Sequence, residues 1–192
     1  MSIVNNIELI VGWAEKEICS RVKLKLPDDD RAGHTGADDG NYEYKLVSPS
    51  AFALFVPTKD RLPPKAAAPI PSICVQIVEG KDLPQSGTTK IRLGFAVWNP
   101  GLHRPAHDHP KYERSGDGWR DAWNFVDVAI REISSTEVIG DMLRVVKEDG
   151  IAYGPFTEQD AISDYYPYWF AWVEFSVAYG INRNNPAIQQ FL

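Results

Sequence analysis

The chain is 192 residues long, 44% apolar and 24% charged, and 20 basic against 26 acidic residues leave a net charge of −6. That length suits one well-formed core, and the absence of any basic run or basic helical stripe argues against direct nucleic-acid binding. No apolar run approaches the roughly 18 to 20 residues of a membrane span, and Glu8 interrupts the only apolar stretch near the start, so no signal-peptide pattern is read either.

Residues 3–20 read as an amphipathic helix. Ile3, Ile7, Ile10, Val11, Ala14 and Ile18 recur at three- and four-residue spacing, Asn6, Glu15, Lys16 and Glu17 take the other face, and Ser2 stands where an N-cap belongs. Val22, Leu24 and Leu26 then alternate with Arg21, Lys23 and Lys25 as a short strand ended by Pro27 and Asp28–Asp30. The Gly/Asp stretch 28–41 reads as a mobile loop, with His34 a solvated histidine in it. From Tyr42 to Pro57 the chain is extended again, with Phe52, Leu54, Phe55 and Val56 as candidate core residues. Five prolines within 57–71 exclude a helix and predict an extended strap, either a surface-hugging connection or a recognition arm.

Ser72–Val78 and Lys90–Trp98 alternate as strands, and a polar loop over 79–89 is compatible with an antiparallel hairpin. A second long polar loop is expected over 99–118, followed by a helix over 119–134 capped by Asp117 or Ser115. Its apolar face is read as Trp119, Ala122, Trp123, Val126, Ala129, Ile130 and Ile133. Residues 142–147 read as a strand, 150–155 as a turn and 158–163 as an acidic connection. The stretch 163–179 is the densest in the chain, eight of its seventeen residues being aromatic, and from Phe170 it alternates strictly. It reads as a strand that buries Ala171, Val173, Phe175 and Val177, with Pro167 at its entrance. Pro186 could start a last short helix in the Asn-rich tail 182–192. This order predicts a single α+β domain over 1–192, an antiparallel sheet with two main helices packed on one face.

Chemical signals are few. His103, His107 and His109 lie close together with Tyr112 and Glu113, but Pro105 and Pro110 stand among them and no element fixes the rings, so a solvated or partner-facing loop is the preferred reading over a metal site. Cys19 and Cys74 fall inside apolar periodic segments and read as buried free thiols of a protein made in the cytoplasm. No Gly-x-Ser-x-Gly elbow is present, and Gly33, Gly36 and Gly40 lack the Lys-Ser/Thr of a phosphate loop. Glu148–Asp149 and Asp28–Asp30 sit in turns, and Glu174 is expected to pair across strands with a base such as Arg92. The motifs name no catalytic, cofactor or metal residue, and the expectation is of a protein that is not an enzyme.

Two segments carry a resemblance. Asp117-Gly-Trp-Arg-Asp-Ala-Trp-Asn-Phe-Val-Asp127, and some forty residues later Tyr166-Pro-Tyr-Trp-Phe-Ala-Trp172, resemble in order and spacing the tail completion or tail terminator-like proteins of long-tailed bacteriophages and prophages. The strands around Pro71–Gln76 and Ile91–Phe95 are similar to theirs as well, so the likeness covers about residues 70–180. It implies a structural virion protein, an α+β protomer assembling into a ring, commonly a hexamer, at the head-proximal end of the tail tube. The implied partners are further copies of the chain, the tail tube protein and the head connector; no catalytic residues are implied. The first seventy residues exceed a compact terminator, which keeps a head–tail connector in the neck as the alternative. Two readings of other classes stand beside it: a metal-dependent enzyme using the His103–His109 loop, and a peptide-binding module using the strap or an aromatic cleft. Long loops at 28–41, 79–89 and 99–117 would reach neighbours in a ring, and the negative charge suits a DNA passage that should not adhere to DNA.

Overall fold

A computed structural model describes residues 2–27, 45–104, 111–114, 116–159, 161–162 and 164–180, with the backbone alone for 101–104 and 111–114. The predicted loop 28–41 with His34, residues His107 and His109, and the tail 182–192 lie outside the described residues.

The first helix, α1 (Ile3–Trp13), starts as its sequence predicts: the Ser2 hydroxyl accepts the Asn5 N–H at 3.2 Å. It continues through a π-type turn at Ala14–Ile18 and a 3-10 turn at Cys19–Arg21, so one rod reaches residue 21. Ile7, Ile10, Ala14, Ile18 and Cys19 form its buried stripe. Asn6, expected on the wet face, is instead 3% exposed, because it stands four residues before Ile10 and eight before Ala14, on the same face of the rod. Two short strands, β1 (Leu24–Lys25) and β2 (Leu46–Val47), pair antiparallel as a separate ribbon.

The main sheet is built from β3 (Ser50–Ala53), β4 (Ser72–Asp82), β5 (Ser86–Trp98), β8 (Val138–Ile139), β9 (Leu143–Val146), β10 (Ala152–Pro155) and β11 (Tyr168–Gly180). Its order is β3-β4-β5-β11-β9-β8, with β10 also bonded to β11, and every pairing but β3–β4 is antiparallel. A smaller hairpin joins β6 (Gly101–Arg104) to β7 (Lys111–Arg114). The second helix, α2 (Trp119–Ser135), lies over β5 and β11, while α1 lies over β3 and β4.

Register explains the core. Ile73, Phe95 and Ala171 align across the three central strands, as do Val75, Leu93 and Val173, and all point to the helices. Both helices and the sheet share one apolar cluster, the predicted α+β arrangement of two helices on one sheet face.

Several boundaries differ from expectation. The loop expected over 79–89 is ladder: Val78 is bulged out, pairing resumes at Glu79–Lys90, and only residues 83–85 turn. The bulge reverses the alternation, which makes a strand look like a polar loop. The loop expected over 99–118 contains the β6–β7 hairpin. The turn expected over 150–155 is β10, and the reason is the long edge of β11: β9 covers only Ser176–Ala178, leaving Ala171–Glu174 for β10. Phe52 is buried, but Leu54 and Phe55 are 51% and 69% exposed, because the backbone turns out of the sheet at Leu54, where φ is +65°. In the 57–71 strap the only regular structure is one 3-10 turn at Lys59–Arg61.

The buried stripe of α2 is rotated from the predicted one. Phe125, missed from the sequence, is fully buried and meets Phe95 edge-to-face at 4.9 Å, whereas Trp119 is 47% exposed. Gly118 takes the N-cap position in place of the predicted Asp117, which pairs with Arg120 at 3.5 Å, while the other predicted cap, Ser115, lies outside the described residues. A Cβ at Gly118 would run into the Trp169 indole and come within 2.7 Å of the Asn99 carbonyl oxygen, so no capping side chain fits there. At the other end the Lys147 ammonium donates to the Ile133 and Ser134 carbonyls at 2.8 and 2.6 Å and closes α2. The β8–β9 hairpin turns through Gly140 and Asp141, both at positive φ (58° and 59°), the pattern of a type I′ turn.

Candidate functional site: an aromatic cleft at the start of the last strand

Where β11 begins, large apolar side chains that elsewhere would be buried face solvent together. Phe156 follows β10, Ile162, Asp164 and Tyr165 belong to the connection, and Tyr168, Trp169 and Phe170 open β11; together they line a cleft of about 280 Å³. Ile162 is 73% exposed and Phe156 44%. Three of the rings meet at steep angles: Tyr165 and Phe170 at 5.6 Å and 85°, Phe156 and Phe170 at 6.2 Å and 65°, Phe156 and Tyr165 at 6.3 Å and 51°. Such tilted and edge-to-face contacts hold the three rings to one another as one wall of the cleft.

The cleft rests on a fixed polar floor. Asn99 donates its backbone N–H to the Pro167 carbonyl at 3.0 Å and accepts the Trp169 indole N–H on its own carbonyl at 3.1 Å. Its side chain accepts from the Lys25 ammonium at 2.7 Å and donates to the Asp121 carboxylate at 2.6 Å. One residue thus ties β1, α2 and the mouth of β11 together. Burial pulls the Lys25 pKa down, and the Asp121 charge partly restores it. The Tyr166 hydroxyl donates to the Pro100 carbonyl at 2.5 Å, the Tyr168 N–H to the Tyr165 carbonyl at 2.8 Å, and the Phe156 N–H to the Phe170 carbonyl at 3.3 Å. Sequence reading missed Asn99, placing it at the start of a polar loop; the Trp98-Asn99-Pro100 step directly after a strand was the available signal.

The sheet face away from the helices, which also carries Phe170 and Trp172, holds the second notable group. Glu174, only 6% exposed, accepts from Arg92 at 2.8 and 2.5 Å on one oxygen and pairs with Lys90 at 2.8 Å on the other. The cross-strand pair with Arg92 was expected, but on a semi-exposed face; Arg92 itself covers the neighbouring Trp172 ring at 5.4 Å, so the carboxylate is roofed. Desolvation works to raise the Glu174 pKa, yet hydrogen bonds and charge from Lys90 and Arg92 outweigh it and hold the carboxyl below its ordinary value. A carboxylate so saturated is poorly placed for proton transfer.

Of the other candidate residues, His103 lies in β6 opposite Tyr112 in the backbone register. Among the described residues no group of three or more His, Cys, Asp or Glu side chains gathers as metal ligands do. Glu148 and Asp149 sit on an exposed 3-10 turn. Cys19 and Cys74 are free and buried; burial pushes the Cys19 thiol up to about 12 and raises that of Cys74, so neither is a poised nucleophile. No helix among the described residues is long and apolar enough to cross a membrane. Compared with protein-family models and with curated proteins, the chain matches none.

Proposed function

We propose that the protein is a structural component of a long-tailed phage or prophage, a tail terminator or tail completion protein that works as an oligomeric ring at the head-proximal end of the tail tube. The observation that supports it is the meeting of the two resemblance segments. Trp169, from the aromatic segment, seats its indole against Gly118, from the helix segment, and exposed Trp119, Phe156, Ile162, Tyr165 and Tyr168 belong to or adjoin those segments. Apolar side chains gathered on one region of a surface suit contact with neighbouring proteins. The described chemistry agrees in kind: the buried Glu174 carboxylate is matched by Arg92 and Lys90, and the Cys19 and Cys74 thiols are buried.

Native mass spectrometry and electron microscopy over a wide concentration range, alone and with tail tubes from the same genome, test the reading. Ring-shaped oligomers, or rings formed on tube ends, are the expected result. Monomers at every concentration, combined with no co-sedimentation with tubes, would sink it. Binding to the head connector and not to the tube would move the protein into the neck.

A further inference from the structure

From the aromatic cleft we infer that it is a socket for a single basic side chain, an arginine presented by an extended segment of a partner protein. Its volume of about 280 Å³ holds one long side chain but is small for a drug-sized ligand or cofactor. Of its seven lining residues among those described, six are apolar or aromatic, the seventh is Asp164, and none is cationic. Five of those lining residues, Phe156, Tyr165, Tyr168, Trp169 and Phe170, are aromatic, and an aromatic face, with its negative quadrupole charge, attracts a cation placed over it. Asp164 stands exposed at the rim. Its Oδ1 accepts the neutral Tyr166 N–H at 2.9 Å, and among the described residues no cation pairs with it.

Charge complementarity selects the occupant. A neutral apolar side chain would use the walls and ignore the carboxylate, whereas an ammonium would use the charge as a point and leave much of the wall uncovered. A guanidinium uses both: its plane stacks on rings while its N–H fork reaches a carboxylate. Among the described residues guanidinium groups already lie over indoles, Arg92 over Trp172 at 5.4 Å and Arg120 over Trp119 at 5.5 Å. The bonds from Tyr166 to Pro100 and from Trp169 to Asn99 hold the floor in place before anything arrives, which lowers the cost of ordering.

The inference does not depend on a place in a virion, and its test needs no assembly. The full chain, labelled with ¹⁵N, is titrated with acetylated and amidated Gly-Gly-Arg-Gly-Gly and with peptides carrying citrulline or norleucine instead. The arginine peptide is expected to shift the Trp169 indole and the Tyr165, Tyr168 and Phe170 amides saturably, leaving the Trp123 indole still. Citrulline, which keeps the shape and loses the charge, should bind at least about fivefold more weakly. Asp164→Asn retains the oxygen that accepts from Tyr166 and should weaken the arginine peptide about two- to fivefold, without changing citrulline. Equal or tighter binding of norleucine or citrulline, an unchanged affinity in Asp164→Asn, or no saturation up to about 10 mM would each overturn the socket.

Discussion

A carboxylate inside a sheet is costly unless it is matched, and Glu174 is matched on both oxygens by Arg92 and Lys90. Its folded-state pKa is lowered, so its contribution to stability is complete above the unfolded value near pH 4.3 and is lost as pH falls through the folded value. Glu174→Gln should therefore cost about 1–3 kcal/mol at neutral pH by urea denaturation, leaving two cations facing an amide. The gap between variant and wild type should narrow as pH falls below about 4; a gap independent of pH would mean that packing, not charge, is what Glu174 contributes. The aromatic strand offers a second contrast between residues. Phe175 is 2% exposed and should cost about 3–5 kcal/mol on truncation to Ala, measured the same way. Trp169 would be assigned a similar loss from the sequence, but it is only partly buried, so Trp169→Ala should cost less than Phe175→Ala.

At the scale of elements, the junction of α2 with β11 is set by the absence of a side chain. Gly118→Ala leaves backbone angles unstrained, at φ −60° and ψ −23°, yet its methyl would collide with the Trp169 indole. The expected result is a loss of about 1–3 kcal/mol, with a shift in tryptophan emission as the indole leaves its Asn99 partner. An unchanged spectrum and melting temperature would show that the junction is looser than its geometry. The same junction marks the limit of what periodicity can show. Strands with unbroken alternation were legible, 72–78, 90–98 and 170–179 among them, and so was the Ser2 cap. The strand past Val78 was not, because a bulge inverts the pattern there; β10 was not, because it exists to satisfy the backbone of a strand about 20 residues away in sequence. Phe125 was missed because its burial is decided by Phe95, on an element that local spacing cannot see. The cleft was half legible: the aromatic density pointed to it, while Asn99, which fixes its floor, carries no periodic signal.

Over the whole molecule, the sheet is organised around one long pairing. β11 lies against β5 from Tyr168–Trp98 through Gly180–Ser86, and its other edge is divided between β9 and β10, so it is bonded along both sides through its middle. That placement bears on how the chain is born. β5 is complete once Trp98 has been made, but its partner finishes only at Gly180, 82 residues later, which at cellular elongation rates is roughly 4 to 16 s. Throughout that interval the β4–β5 hairpin has an unpaired inner edge, with Ile91, Leu93 and Phe95 lacking their final cover. Such long-range closure makes for slow folding and a nascent chain open to edge-to-edge association. The strand that completes the core is also the one that begins with the aromatic cleft, so that surface is formed only in molecules that have finished folding.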